Sequence, residues 1–96
     1  MPIVQIDEEV EILDLDRTPK ARAQWVGLIA QTSGLWEWYG KLENPFPPKV
    51  EFIIGKHYIL RRRNGREGQV SIRSKDASPY GVTFDFWGEG PPPGAE

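Results

Sequence analysis

The chain has 96 residues, 39% hydrophobic and 27% charged, with a formal charge of −2 at pH 7. That length holds one small domain with a thin core, for which net stability is about 5–10 kcal/mol. With no cysteine, disulfides, thiolate nucleophiles and sulfur-ligated metal sites are excluded and a cytoplasmic protein is expected.

Ile3–Ile6 reads as a short strand and Val10-Glu11-Ile12-Leu13 as a second. From Thr18 two readings compete. Thr18 as N-cap and Pro19 at the first helical position would open a helix with Ala21, Trp25, Leu28 and Ile29 on one face. The alternative is a loop over 14–23, a strand from Trp25 to Thr32, a turn at Ser33-Gly34 and a strand from Leu35 to Leu42. Gly27 would cost a helix about 1 kcal/mol, and β-branched and aromatic residues crowd the segment, which weighs toward strand. Composition alone leaves both open.

Asn44-Pro45-Phe46-Pro47-Pro48-Lys49 is expected as a loop, because its prolines lack the donors that a helix or central strand requires. In the second half, Lys56–Arg63 meets Arg66–Arg73 across Asn64-Gly65, the dipeptide best suited to a two-residue type I′ hairpin. Val82, Phe84 and Phe86 then alternate with Thr83, Asp85 and Trp87 in a further strand with one apolar face, Trp87 pointing outward. The reading is a single β domain over 1–88 and a disordered Pro/Gly tail over 89–96.

Certain spacings resemble a known family. Trp25-Val26-Gly27-Leu28-Ile29, a tight turn, Trp38-Tyr39-Gly40-Lys41-Leu42-Glu43, a proline-rich stretch and Val50-Glu51-Phe52 resemble a small SH3-like barrel of the KOW type, over residues 10–87. Gly65-Arg66-Glu67-Gly68-Gln69-Val70 and Tyr80-Gly81-Val82-Thr83-Phe84-Asp85 repeat the flavour. At an offset of 41, Gly27, Ser33, Tyr39 and Gly40 fall on Gly68, Ser74, Tyr80 and Gly81. The expected fold is therefore mainly β, a small SH3-like barrel, with two similar β halves around one core as a variant. The resemblance implies a module that binds nucleic acid, ribosomal or transcription machinery, or protein partners, and seldom an enzyme.

Charge is unevenly spread. Residues 1–16 hold six acids and no base, whereas 56–76 hold seven bases against two acids, a net +5. Strand alternation places Arg61 and Arg63 on one face and Arg62 on the other, with Arg66 beyond the turn. Guanidinium forks of this kind suit phosphate or carboxylate groups. The low pI of about 5.4 argues against a dedicated polyanion binder.

His57 is the only histidine, the N-terminal acids lack a calcium-loop pattern, and no nucleophile motif occurs, so neither catalytic residues, metal nor cofactor are expected. The expectation is a non-catalytic module that binds a protein partner, as an adaptor or inhibitor of a larger machine. Its contact residues would come from Trp36, Trp38 and Trp87 with Arg62, Arg63 and Arg66. The alternative is nucleic-acid binding through Arg61, Arg62, Arg63, Arg66, Arg73 and Lys75, with Tyr58 or Trp87 stacking on bases. No membrane association is expected, since no run approaches the ~20 apolar residues of a bilayer span.

Overall fold

The structure, a computed structural model, describes residues 3–94. Six strands follow one another: β1 (Ile3–Leu13), β2 (Pro19–Thr32), β3 (Leu35–Phe46), β4 (His57–Arg61), β5 (Glu67–Ser78) and β6 (Gly81–Glu89). Every pairing is antiparallel, and the order β1-β2-β3-β6-β5-β4 closes into a barrel when β4 returns to β1. Each half of the chain thus supplies three consecutive strands, and a single core lies between them.

Segment 19–32 is strand rather than helix, paired with β1 on one side and β3 on the other. Its odd-numbered side chains from Ala21 to Ile29 turn inward and its even-numbered ones outward, the alternation that a half-buried strand requires. The loop expected over 14–23 shrinks to a turn, with Pro19 at the first strand position, where its missing donor matters least. The two short N-terminal strands merge into β1. Pro45, expected in a loop, is buried inside β3, where Asn44 and Pro45 form a bulge opposite Ala23.

The hairpins differ in kind. Ser33 (φ 52°) and Gly34 (φ 81°) make a two-residue loop with both positions left-handed, as a type I′ turn needs. At Asn64-Gly65 the expected two-residue loop is not formed. Gly65 N–H donates to Arg62 O at 2.9 Å, Arg62 N–H donates to Arg66 O at 2.8 Å, and only Gly65 (φ 87°) is left-handed. This is the three-residue loop that ends in a glycine bulge. Asn64 spends its side chain instead on the Arg66 N–H, at 2.9 Å.

Glycines shape the barrel interior. The Trp25 indole lies over the facing pair Gly27 and Gly40, where an added Cβ would come within 2.8 Å and 2.7 Å of Nε1. Trp38 lies over Gly68 and Gly88, and a Cβ on Gly88 would fall 2.0 Å from Cε2. Two indoles therefore occupy space that four missing side chains leave open. Trp25, Trp38 and Phe86 pack with centroids 5.7–6.1 Å apart at this end, and Phe52, Tyr58 and Phe84 form a second cluster at 4.9–5.2 Å. Burial of such rings supplies about 2–3 kcal/mol each.

The tail expected to trail loosely from residue 89 instead packs back on the barrel as far as Gly94. Trp38 Nε1 donates to Gly90 O at 3.1 Å, Arg62 Nη1 donates to Pro93 O at 3.0 Å, and Pro93 is buried near Gly68. Carbonyls of a proline-rich segment remain free to accept even where its nitrogens cannot donate. Ala95 and Glu96 lie outside the described residues. Among the described residues no helix is long and apolar enough to cross a membrane.

Candidate partner-binding groove

The ten residues singled out by sequence do not form one surface. Tyr58 is fully buried, its ring inside the barrel and its hydroxyl accepting the Ile53 N–H at 2.9 Å, so it cannot stack on a ligand. Trp38 is 2% exposed beneath the tail, so it too is core rather than contact surface. Trp36 is part-exposed at the end of the β2–β3 hairpin, beside the exposed Leu35.

The hairpin arginines divide. Arg61 Nε donates to Glu67 Oε2 at 2.8 Å, and its Nη1 lies 3.5 Å from Glu11. Arg62 grips Glu8 with both arms of its guanidinium, Nε to Oε2 at 3.2 Å and Nη2 to Oε1 at 2.7 Å, and covers the Trp25 ring. The acidic first strand and the basic hairpin therefore meet at these two arginines. Hydrogen bonding from Arg62 holds the Glu8 carboxyl below its ordinary pKa, and the Glu67 carboxylate raises that of Arg61. Arg63 and Arg66 are exposed at the loop, and Lys75 reaches Glu51 at 3.2 Å. Of the ten, Arg61, Arg62 and Arg63 line a hollow of about 360 Å³ that they share with Glu9 and Glu11, whereas Arg73 and Trp87 fall together in a larger concavity.

That concavity crosses the outside of β2, β3, β6 and β5 and has a volume of about 610 Å³. Strand register builds it. One outward row runs Leu28–Tyr39–Trp87, the next runs Val26–Lys41–Asp85–Ser74, and the inward-facing Gly27, Gly40 and Phe86 lie between them as a floor. Gly27 and Gly40 face each other so closely that a Cβ on Gly27 would lie 2.1 Å from Tyr39 O. The bulge between Ile72 and Ser74 brings in Arg73.

Tyr39 and Trp87 stack with centroids 5.7 Å apart and planes 27° from parallel, while Arg73 lies over the Trp87 ring at 5.5 Å. Tyr39 stands on β3 and Arg73 on β5, the strands flanking β6, so Trp87 is contacted from both neighbouring strands and stays half-exposed. Ser74 Oγ donates to Asp85 at 2.7 Å, which occupies the one acid of the groove. Among the described residues, Lys41 and Arg73 have no ion-pair partner. Tyr39, Lys41 and the glycine floor escaped sequence reading. Alternation does set Tyr39 and Lys41 opposite Trp38 and Leu42, but their neighbours Trp87 and Asp85 follow only from the β3–β6 register.

Comparison with known protein families, curated proteins and solved structures returns no match.

Proposed function

We propose that this barrel is a non-catalytic binding module, of the SH3-like class, that acts in the cytoplasm on a protein partner through the groove between the Tyr39–Trp87 and Lys41–Asp85 rows. The observation that carries the reading is the groove itself: half-exposed Trp87 stacked on Tyr39, flanked by Lys41 and Arg73, which pair with no acid among the described residues. Aromatic and arginine anchors of this kind dominate affinity at protein interfaces. Closure of the strands and the short β2–β3 and β5–β6 turns support the SH3-like assignment, and the cysteine-free sequence supports the compartment.

Nucleic-acid binding is the second reading, favoured by Lys41 and Arg73, which have no ion-pair partner among the described residues, beside a half-exposed tryptophan. The basic hairpin no longer argues for it, because Arg61 and Arg62 are committed to the chain's own carboxylates. Affinity capture from cell extract with the wild-type chain and a Tyr39→Ser/Trp87→Ser variant tests the first reading. Proteins retained by the former and lost by the latter are the expected result; identical retention overturns it. A parallel titration with heparin and single-stranded oligonucleotide at two salt concentrations tests the second, whose mark is affinity that falls steeply with salt.

A further inference from the structure

Resting on the reading of the groove as a protein site, we propose that its occupant is a short, extended, acidic peptide segment. The segment crosses the strands, with carboxylates three residues apart on Lys41 and Arg73 and apolar side chains between them. Four features define this ligand.

The first is direction. The trough lies between two outward rows and traverses four strands, so a ligand in it runs across the strands rather than alongside one. Three strand spacings give it a length of about 14 Å, room for four or five extended residues. The barrel leaves no free strand edge along this trough, so the ligand is held by side chains.

The second is charge. Lys41 on β3 and Arg73 on β5 are exposed, unpaired among the described residues, and separated by the intervening β6. Two strand spacings place them about 10 Å apart, which one three-residue turn of an extended polyproline II segment, about 9 Å, spans with side chains i and i+3 on the same side. A carboxylate at each end of a Glu-x-x-Glu segment meets both.

The third is limited extent. Asp85 stands between the two cations, Glu37 and Glu89 flank the Tyr39–Trp87 row, and Glu43 and Asp76 lie beyond the Lys41–Asp85 row. A continuous polyanion would meet these acids, whereas a segment with two carboxylates avoids them.

The fourth is the state of the aromatics. Trp87 already stacks on Tyr39 and carries Arg73 over its ring, so a nucleobase would have to compete with contacts that the chain itself makes. Ring edges above a glycine floor remain, and these suit aliphatic or proline side chains.

The test uses the full chain, isotopically labelled, and four soluble probes: ten-residue peptides centred on Glu-Leu-Val-Glu, Gln-Leu-Val-Gln and Lys-Leu-Val-Lys, and a twelve-nucleotide oligothymidylate. Binding is followed by amide chemical shifts and by anisotropy of labelled probes. The acidic peptide is expected to bind at least tenfold more tightly than the basic one and to shift the Gly27 and Gly40 amides. Lys41→Glu and Arg73→Glu should each weaken it at least tenfold, and the double variant should prefer the lysine peptide. Both residues are exposed, and unchanged thermal melts establish that the variants fold. Equal affinity for the three peptides, or preference for the neutral or basic one, overturns the acidic occupant but leaves a protein site if Trp87→Ser abolishes that binding. Preference for oligothymidylate with shifts at the groove overturns both the occupant and the protein reading. Absence of binding by any probe overturns the occupant alone, because capture by the wild-type chain still tests the site.

Discussion

Arg62 and Glu8 lie 54 residues apart and are joined by two hydrogen bonds, at 2.7 Å and 3.2 Å, across the mouth of the barrel. Their side chains are only 15% and 23% exposed, so the pair is screened less than a surface ion pair. The guanidinium depresses the Glu8 pKa in the folded state below its ordinary 4.5. The stabilisation is therefore complete above that ordinary value and disappears as pH falls through the depressed one. Urea unfolding at pH 7 and pH 3 should show wild type losing more stability on acidification than Glu8→Gln. Arg62→Met should cost about 2 kcal/mol at pH 7.

The tryptophan seats predict a steep glycine dependence. Gly88→Ala puts a methyl 2.0 Å from the Trp38 ring and should cost about 3 kcal/mol, the upper range for overpacking. Gly65→Ala meets nothing within 4 Å but sits at φ 87° and should cost about 1 kcal/mol. In a Trp38→Leu background the Gly88→Ala penalty should shrink, a coupling that a double-mutant cycle by chemical denaturation measures.

Tryptophan accessibility separates the four indoles. Trp87 is 50% exposed and Trp36 37%, against 0% for Trp25 and 2% for Trp38. Acrylamide should quench variants that retain only Trp87 or Trp36 several-fold more strongly than variants that retain Trp25 or Trp38. Equal quenching would contradict the arrangement of the interior.

The docked tail makes a further prediction. Truncation after Gly90 keeps the acceptor of Trp38 Nε1 but removes the buried Pro93 and its bond from Arg62. Stability should fall by about 2 kcal/mol, and Trp38 should become quenchable.

Local chemistry made much of this fold readable. Alternation at Val82, Phe84 and Phe86 marked the inward face of β6 and turned Trp87 outward, and Ser33-Gly34 announced its own turn. What a single segment could not express is which strand lies beside it. Tyr39 becomes a groove wall only because it faces Trp87, and Trp38 becomes core only because Gly68 and Gly88, far along the chain, leave room for its ring. The offset of 41 fails for the same reason. Tyr39 stands within β3, while Tyr80 occupies the β5–β6 turn and is 96% exposed. The tail reads as loose because proline lacks a donor, but Gly90 and Pro93 act there as acceptors.

The barrel closes through a short latch, in which Glu11, Ile12 and Leu13 of β1 meet Arg61, Leu60 and Ile59 of β4. By contrast β2 runs beside β1 for almost its whole length. The ring is thus a pair of three-stranded ribbons clasped at two short junctions, five residue pairs between β3 and β6 and three between β1 and β4, and neither ribbon can cover its apolar side alone. A chain cut in the proline loop between β3 and β4 should yield two fragments that are unfolded apart and regain the barrel when mixed, with the latch the first backbone hydrogen bonds to exchange with solvent.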